Sequence, residues 1–205
     1  MTVSVIIPFH SDDLTRKENY RRVRNSYAHH FPTWELWTWY NSPPLARGRT
    51  INEAAAHCAG DILVLNDADT LVEPEQLHEA VVLAASAPGL VQAFSEFVWL
   101  ERDGKENQGW PSRSQCVAAI SAECFRETGG YDPRFVGWGY EDLAFDLVCG
   151  SMWPLRAVPG RVLHHWHPRT EGKDLEQEYE NVNLYHRYAQ ANGDVAGLLA
   201  IRGEA

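Results

Sequence analysis

The sequence predicts an α/β fold in which helices surround a mainly parallel sheet. Short apolar segments alternate with helical segments from residue 3 to residue 192, the pattern of sheets built from crossover units. Residues 62–65 are apolar at every position, as expected for a central parallel strand that is buried on both faces. With 205 residues, 44% of them hydrophobic and 22% charged, the composition suits one globular domain and excludes a disordered or fibrous chain.

Each predicted element rests on residue type and spacing. Apolar, β-branched or aromatic runs predict strands at residues 3–8, 34–40, 61–65, 90–100, 116–120 and 156–164. Apolar residues at helical spacing predict helices at residues 14–31, 50–58, 121–128 and 175–192, one from residue 74 and one from residue 141 to about 150. Pro74 suits the first turn of its helix, and Gly129 and Gly193 suit positions just after helix ends.

Charge and cysteine content narrow the class of protein. The net charge of −10 disfavours extended nucleic-acid binding, which needs clustered Lys and Arg. No run approaches the roughly 18 apolar residues of a membrane span, and the first residues lack the features of a signal peptide. The four cysteines are scattered without a CxxC pair, which favours reduced thiols and a cytoplasmic location.

Polar clusters follow three of the predicted strands, at residues 9–13, 66–69 and 164–167. Ligands of open α/β sheets bind beyond the C-terminal ends of the strands. The three clusters are therefore the first candidates for a binding site.

Asp67 and Asp69 directly follow the central strand. Side chains at i and i+2 of an extended segment point the same way, so the two carboxylates can converge on one cation. Carboxylates with open coordination positions suit Mg²⁺ or Mn²⁺ holding a diphosphate. Asp-x-Asp also occurs by chance in solvated turns, but its place after an apolar strand favours a metal site.

His164, His165 and His167 end the last predicted strand. Imidazole is a good ligand for Mn²⁺ or Zn²⁺ and supplements carboxylates. Three histidines within four residues predict at least one ligand, and the pattern does not decide which.

Residues 130–142 contain a Gly-Trp-Gly element followed by two acids at a predicted helix start. Gly137 and Gly139 let the backbone approach a ligand closely, and Trp138 offers an apolar face to a sugar ring. The helix N-terminus favours ionised Glu141 and Asp142.

Arg47 and Arg49 lie in a small basic segment at another helix start. Either guanidinium is suited to pair with a phosphate, assisted by the helix N-terminus. Two arginines in a loop also occur on ordinary solvated surfaces, so this signal is weaker.

Taken in order, the motifs resemble a GT-A glycosyltransferase, specifically the β-1,4-galactosyltransferase group, with a C-terminal motif similar to that of polypeptide N-acetylgalactosaminyltransferases. The matching segments are residues 6–9, 47–52, 67–69, 129–132 and 137–142, with the late histidine cluster. The resemblance covers residues 3 to about 170. It implies the GT-A fold, a three-layer nucleotide-diphospho-sugar transferase sandwich in one domain over residues 1–205.

For the nucleotide sugar, the resemblance implies that Pro8, Phe9 and His10 border the nucleotide. It implies that Arg47 contacts the nucleotide near the base or phosphates and that Asp67 lies near the ribose and the metal. Residues 1–110 are then mainly the donor half of the domain.

For the metal, the resemblance implies Mn²⁺ or Mg²⁺ with Asp69 as a direct ligand. His167 matches the late ligand, and His164 matches a second ligand position three residues earlier.

For the acceptor, the resemblance implies that Trp138 lies against donor and acceptor, that Glu141 helps to hold the acceptor and that Asp142 is the catalytic base. Residues 111–170 are then mainly acceptor binding and catalysis, and residues 171–205 a C-terminal helix. Tyr140 and Leu143 replace a glycine and an acid of the family pattern within the acceptor pocket. Galactose transfer to N-acetylglucosamine is therefore not expected.

Two further departures concern the source and the donor site. His10 replaces a basic residue, and neither the Golgi anchor nor the family's disulfide framework is recognisable. A bacterial or phage relative is expected.

The sequence thus predicts a metal-dependent, inverting transfer of a sugar from a nucleoside-diphosphate sugar, UDP-linked, to an acceptor hydroxyl. The acceptor stays open among a glycan, a protein, a small molecule and a modified base. The alternatives are a retaining transferase on the same fold and a catalytically silent sugar- or nucleotide-binding module. A zinc hydrolase is disfavoured because no HExxH motif is present.

Overall fold

Strands and helices alternate along the chain as the sequence predicts. The computed structural model describes residues 1–39, 46–111, 115–137, 139–168 and 174–204. The strands are β1 (Val3–Pro8), β2 (Glu35–Trp39), β3 (Ile62–Asn66), β4 (Thr70–Val72), β5 (Val91–Gln92), β6 (Glu96–Trp99), β7 (Trp110–Pro111), β8 (Val117–Ser121), β9 (Arg156–Ala157) and β10 (Arg161–His164). The helices are α1 (Leu14–His30), α2 (Arg47–Ala55), α3 (Pro74–Ser86), α4 (Ala122–Glu127), α5 (Glu141–Met152), α6 (Leu175–Gln190) and α7 (Val195–Gly203).

The strands form two sheets. The larger has the order β2-β1-β3-β8-β5-β9, and the smaller has the order β4-β10-β6-β7. In the larger sheet β1 pairs in parallel with β2 and β3, and β5 pairs in parallel with β9. Only β8 runs antiparallel to its neighbours β3 and β5. The predicted mainly parallel sheet is confirmed.

Helices cover both faces of the larger sheet because its strands are apolar on both sides. Val5 and Ile7 of β1 face one core cluster, which includes Val23 of α1 and residues of α3. Ile6 faces the other cluster, which includes Ile51 of α2 and residues of α4 and α5. The result is the helix–sheet–helix sandwich.

The single strands predicted at residues 90–100 and 156–164 are each divided between the two sheets. Val91–Gln92 pairs with β9 in the larger sheet, and Glu96–Trp99 pairs with β10 in the smaller one. The chain crosses between sheets at both places, where the backbone N–H groups of Ser95 and Glu96 donate to the carbonyl oxygen of Gly160 at 2.9 and 3.0 Å. Gly160 has a φ of +136°, which explains the interruption of the second strand.

Three short elements are additional to the prediction. The strands β4 and β7 have only three and two residues, too few for a periodic pattern. The predicted single C-terminal helix is followed by α7, which Asp194 caps by accepting from the N–H of Gly197 at 3.1 Å. The buried Leu198 and residues of α6 pack with α5 in a third cluster.

In the described part of the chain, the helices lack the combined length and apolar content that a membrane crossing requires. All four cysteines are free thiols, as the scattered spacing predicts.

The turn after β3 is fixed by a buried amide. The hydroxyl of Tyr27 in α1 donates to Asn66 Oδ1 at 2.6 Å. Asn66 Nδ2 in turn donates to the carbonyl oxygens of Asp67 and Thr70 at 2.7 and 3.1 Å. Asn66 therefore holds the backbone on both sides of Asp69.

Tyr27→Phe is expected to lower the free energy of unfolding by about 1–2 kcal/mol, because it leaves the buried Asn66 Oδ1 without its donor. Urea denaturation measures the loss. Tyr179→Phe, at an exposed tyrosine of α6, is the control and is expected to be neutral. Equal stability of the Tyr27 variant and the wild type would contradict this role.

Candidate active site

Asp69, His164 and His167 converge at the end of the smaller sheet. Asp69 lies in the turn between β3 and β4, His164 is the last residue of β10, and His167 follows three positions later. His167 Nε2 lies 3.2 Å from Asp69 Oδ2, and His164 Nε2 lies 3.6 Å from Asp69 Oδ1. One ligand atom from each of the three lies within 4.8 Å of the others. We call these three residues the cation group.

The two histidines of the cation group differ in protonation, because the hydrogen bond to Asp69 raises the pKa of His167 whereas burial lowers that of His164. The His167 Nδ1–H donates to the carbonyl oxygen of Pro168 at 3.0 Å, which leaves Nε2 as the ligand atom. Burial lowers the pKa of His164 to about 4, so that imidazole is neutral, as a metal ligand must be. Burial opposes ionisation of Asp69, but the hydrogen bond from His167 lowers its pKa. Two imidazoles and a carboxylate suit Mn²⁺.

The His165 side chain contacts α1 instead of Asp69. Its Nδ1 lies 2.9 Å from Arg22 Nη1 of α1, and only its backbone N–H contacts Asp69, donating to the Asp69 carbonyl oxygen at 2.8 Å. Of the three histidines that the sequence left open, the geometry brings His164 and His167 together with Asp69.

Arg47 is the central cation of the remaining site. It is the first residue of α2, and its Nε donates to Asp67 Oδ1 at 2.7 Å. Its Nη2 donates to the carbonyl oxygen of Gln115 at 3.0 Å, while Nη1 lies 4.0 Å from Glu141 Oε1. Nη1 is buried and has no hydrogen-bond partner among the described residues. Asp67 therefore faces Arg47, and it is Asp69 that faces the histidines.

Arg49 does not share this position. It is exposed, and its Nη2 donates to the carbonyl oxygen of Pro133 at 3.3 Å. Of the two arginines in the basic segment, Arg47 is the one that reaches the candidate site.

The pKa values of the two carboxyls near Arg47 are both raised. Burial raises the pKa of Asp67 to about 6, although Arg47 opposes the rise. Burial also raises the pKa of Glu141, with Arg47 lowering it and the charge of Asp142 raising it. The sequence predicts that the helix N-terminus favours ionised Glu141. At Glu141 burial is the larger effect, so the pKa is raised despite the helix N-terminus.

Tyr140 begins α5 in a left-handed conformation. Its φ is 76°, and among the described residues it is the one non-glycine residue with a positive φ. A residue with a Cβ pays about 1–2 kcal/mol for this conformation. The glycosyltransferase motif that this segment resembles has glycine at this position. The chain therefore keeps the left-handed backbone and adds a side chain. The Tyr140 ring centroid lies 5.4 Å from that of Tyr185.

Gln115 supports the start of α5 and was not predicted as a site residue. Its Nε2 donates to the carbonyl oxygen of Asp142 and to Asp146 Oδ1, both at 2.8 Å. Its Oε1 accepts a short hydrogen bond from the hydroxyl of Tyr131. A single glutamine in an otherwise unremarkable segment carries no signal in the sequence.

A cavity of about 190 Å³ joins the two groups of residues. Phe9, at the end of β1, is stacked on Tyr20 with ring centroids 4.5 Å apart. The cavity is lined by Pro8, Phe9, His10, Ser11, Arg16, Arg47, Thr50, Asp67, Ala68, Asp69 and His164. The sequence-predicted donor residues 8–10, 47 and 67 therefore share one wall with two members of the cation group.

Arg16 is a cavity residue that the sequence analysis missed. Its Nη2 donates to the carbonyl oxygen of Pro168 at 3.1 Å, the same oxygen that His167 binds. The available signal was its position in the first turn of α1, just beyond the C-terminal end of β1. Trp138, by contrast, lies outside the described residues.

Among known families, a model described as the N-terminal domain of galactosyltransferase matches residues 104–146. This segment contains Gly137, Gly139, Glu141 and Asp142. No curated protein matches the chain in sequence.

Several solved structures have similar folds. A Drosophila β-1,4-galactosyltransferase 7, in complex with manganese, UDP-Gal and xylobiose, has a TM-score of 0.63 and 14% identity, covering 88% of this chain and 79% of its own. GalNAc-T7 with UDP, GalNAc and Mn²⁺ has a TM-score of 0.60 and 16% identity, covering 99% of this chain and 54% of its own. Glucosyl-3-phosphoglycerate synthase from Mycobacterium tuberculosis, with Mn²⁺ and UDP, has a TM-score of 0.60 and 13% identity, covering 95% and 80%.

These likenesses establish the fold. The chain has the GT-A fold, and the resemblance to GT-A glycosyltransferases inferred from its motifs is confirmed at that level.

Glu141→Gln is expected to raise the free energy of unfolding at pH 8 by about 1–2 kcal/mol, because burial disfavours the carboxylate that the variant removes. The folded-state pKa of Glu141 is raised, so its unfavourable effect is complete above that value. The effect declines as the pH falls to the ordinary glutamate range, where both states are protonated. Urea denaturation between pH 4.5 and 8 measures the difference.

Glu176→Gln, at an exposed acid in the first turn of α6, is the matched control and is expected to show no such trend. A Glu141→Gln variant less stable than the wild type at pH 8 would show that attraction to Arg47 outweighs burial.

Proposed function

We propose that this chain is a metal-dependent glycosyltransferase that moves a sugar from a nucleoside-diphosphate sugar, UDP-linked, to an acceptor hydroxyl. The observation that carries the proposal is the cation group at the wall of the cavity that Arg47 also lines. A metal cation next to the Arg47 guanidinium would place two positive charges at this cavity. Such a site suits a diphosphate, which carries negative charge on both phosphates. The GT-A fold and the galactosyltransferase motif segment support the same function.

Asp69, His164 and His167 would hold Mn²⁺ or Mg²⁺, with two imidazoles favouring Mn²⁺. When bound, the cation neutralises negative charge on the departing diphosphate as a Lewis acid. Similar structures contain Mn²⁺ with UDP or UDP-Gal, and this chain is proposed to bind a metal ion and a nucleotide sugar together.

On the donor side, Pro8, Phe9 and His10 would border the nucleotide. Arg47 is poised to donate from Nη1, the buried N–H that lacks a hydrogen-bond partner in the described residues. Asp67 keeps Arg47 in place and lies beside the ribose in this proposal. Arg47 cannot lose its proton, so its charge stays fixed at the phosphates.

On the acceptor side, Asp142 is proposed as the general base. The acceptor oxygen attacks the anomeric carbon while the bond to the diphosphate oxygen breaks, and its proton passes to the Asp142 carboxylate. Glu141 and Tyr140, with Trp138 from the sequence resemblance, would orient the acceptor. Placement of this kind supplies much of the rate of a two-substrate reaction.

The proposed division of labour assigns residues 1–110 mainly to the donor and residues 111–170 mainly to acceptor and catalysis. A cytoplasmic location is part of the proposal and rests on the free thiols. The acceptor is a molecule with an exposed hydroxyl, which glycans, proteins, small molecules and modified bases all offer.

Retention of configuration is the second candidate, since the fold is similar to that of GalNAc-T7. The Asp-x-Asp and Gly-Trp-Gly-x-Glu layout also resembles that of the N-acetylgalactosaminyltransferases. NMR of the anomeric proton of the product separates the two, and an inverted anomer is expected. A retained anomer would exclude single displacement with Asp142 as base.

His167→Ala is expected to weaken Mn²⁺-dependent UDP binding by about 10–100-fold, because it removes a ligand from the cation group. Isothermal titration with UDP at fixed Mn²⁺ measures the affinity. His165→Ala is the matched control two residues away and is expected to bind UDP like the wild type, because His165 faces Arg22. Equal losses in both variants would contradict the assignment of the ligands.

Asp142→Asn is expected to lower the transfer rate by about 10²–10⁴-fold while UDP and Mn²⁺ still bind, because the amide cannot accept the proton. A panel of UDP-sugars, scored by hydrolysis and by transfer, supplies the substrate. Asp103→Asn is the control, because Asp103 is an exposed acid that has no role in the proposed site. Transfer at the wild-type rate by the Asp142 variant would remove Asp142 as base.

A further inference from the structure

Three of the described residues that lead into α5 have a left-handed backbone. Gly137, Gly139 and Tyr140 have φ values of 78°, 102° and 76°. Tyr140 is also the N-cap residue, and its side chain makes no capping hydrogen bond. Glycine-rich backbone of this kind has many accessible conformations. The placement of the acids that follow, Glu141 and Asp142, therefore depends on contacts from other elements.

Asn181 of α6 supplies those contacts. It is a polar side chain with only 2% of its surface exposed. Its Nδ2 donates to the carbonyl oxygens of Val136 at 2.9 Å and Gly139 at 3.4 Å. Its Oδ1 accepts from the backbone N–H of Val136 at 3.4 Å and from Gln177 Nε2 at 3.2 Å. One side-chain amide thus binds the backbone of Val136 and of Gly139, in the segment that leads into α5.

Two neighbouring contacts make the arrangement specific. Tyr185 lies one helical turn after Asn181, and its ring contacts the ring of Tyr140 with centroids 5.4 Å apart. On the opposite side, Gly137 forms a β-bridge with Ala46, which immediately precedes Arg47. The segment that leads into α5 is therefore held between α6 and the start of α2, the helix that carries Arg47.

We propose that Asn181 is a positioning residue for the transfer reaction, which fixes the backbone of Val136 and Gly139 and through it the carboxylates of Glu141 and Asp142. The inference rests on the proposed function for its catalytic part. Asn181 is absent from the lining of the cavity and from the cation group, so it acts through Val136 and Gly139. None of the sequence motifs lies in α6. In this proposal α6 nevertheless supports the residues that bind the acceptor.

The first test is hydrogen–deuterium exchange of the peptide over residues 135–145 and needs no substrate. In Asn181→Ala, exchange in this peptide is expected to rise about tenfold, while peptides of the larger sheet exchange at the wild-type rate. Asn183→Ala is the matched control, because Asn183 is an exposed residue of the same type two positions along α6. Unchanged exchange in Asn181→Ala would overturn the proposal.

The second test is kinetic and separates positioning from loss of folding. With UDP-sugar, Mn²⁺ and an acceptor found by the panel, Asn181→Ala is expected to lose about tenfold or more in kcat. Rates are expressed per UDP-binding site, measured by titration with UDP and Mn²⁺, and UDP affinity is expected to stay within about twofold of the wild type. A purely structural role would lower the number of UDP sites and leave kcat per site unchanged, which would also overturn the proposal.

Asn181→Asp tests the amide donor itself. It keeps the shape and the acceptor oxygen but replaces the amide donor, so that an oxygen faces the carbonyl groups of Val136 and Gly139. The same rise in exchange and the same loss of kcat per site are expected. If the wild type binds no UDP in the presence of Mn²⁺, the proposed function fails. The hydrogen–deuterium exchange of residues 135–145 still decides whether Asn181 holds this segment in place.

Discussion

The pairing of β10 with β4 is the constraint on which the site depends. His164 lies opposite Thr70 in this antiparallel pair, and Thr70 immediately follows Asp69. Side chains alternate between faces along a strand, so a slip of one residue would turn His164 away from Asp69. The backbone N–H of His165 also donates to the Asp69 carbonyl oxygen, which extends the pairing past the strand end. The register of two short strands thus brings together Asp69 and His164, which are 95 residues apart in the sequence.

The charge of the site is balanced in two parts. Around the cation group, one carboxylate faces two imidazoles. Beside it, Arg47 lies against Asp67 and near Glu141, and burial favours the protonated forms of these two carboxyls. Since a diphosphate would add negative charge at this place, a bound cation and a permanently charged guanidinium complement each other. Several of the acids behind the net charge of −10 are therefore concentrated where a cation would compensate them.

Much of this arrangement could be predicted because it follows from strand ends. The α/β sandwich, the mainly parallel sheet and the convergence of residues 66–69 with residues 164–167 are all consequences of apolar runs followed by polar residues. The division of residues 90–100 between two sheets could not be predicted, because it depends on hydrogen bonds to Gly160, which is distant in sequence. The raised pKa of Glu141 depends on burial by other elements.

Interactions of single side chains are the other part that the sequence hides. Asn181 and Gln115 act through amides that bind distant backbone, and no local periodicity marks such residues. Tyr140 is different: a tyrosine replaces glycine in a recognisable motif, and the structure shows that the turn keeps its left-handed backbone. The motif therefore predicts the backbone conformation at this position better than it predicts the side chain.

The central claim is that Asp69, His164 and His167 hold one divalent cation at a diphosphate site. Pulsed electron paramagnetic resonance of the protein with one equivalent of Mn²⁺ and with UDP tests it most directly. The expected spectrum has nitrogen couplings from two imidazoles, together with phosphorus coupling that is present only when UDP is added. A Mn²⁺ signal with water-proton couplings alone, unchanged by UDP, would contradict the account.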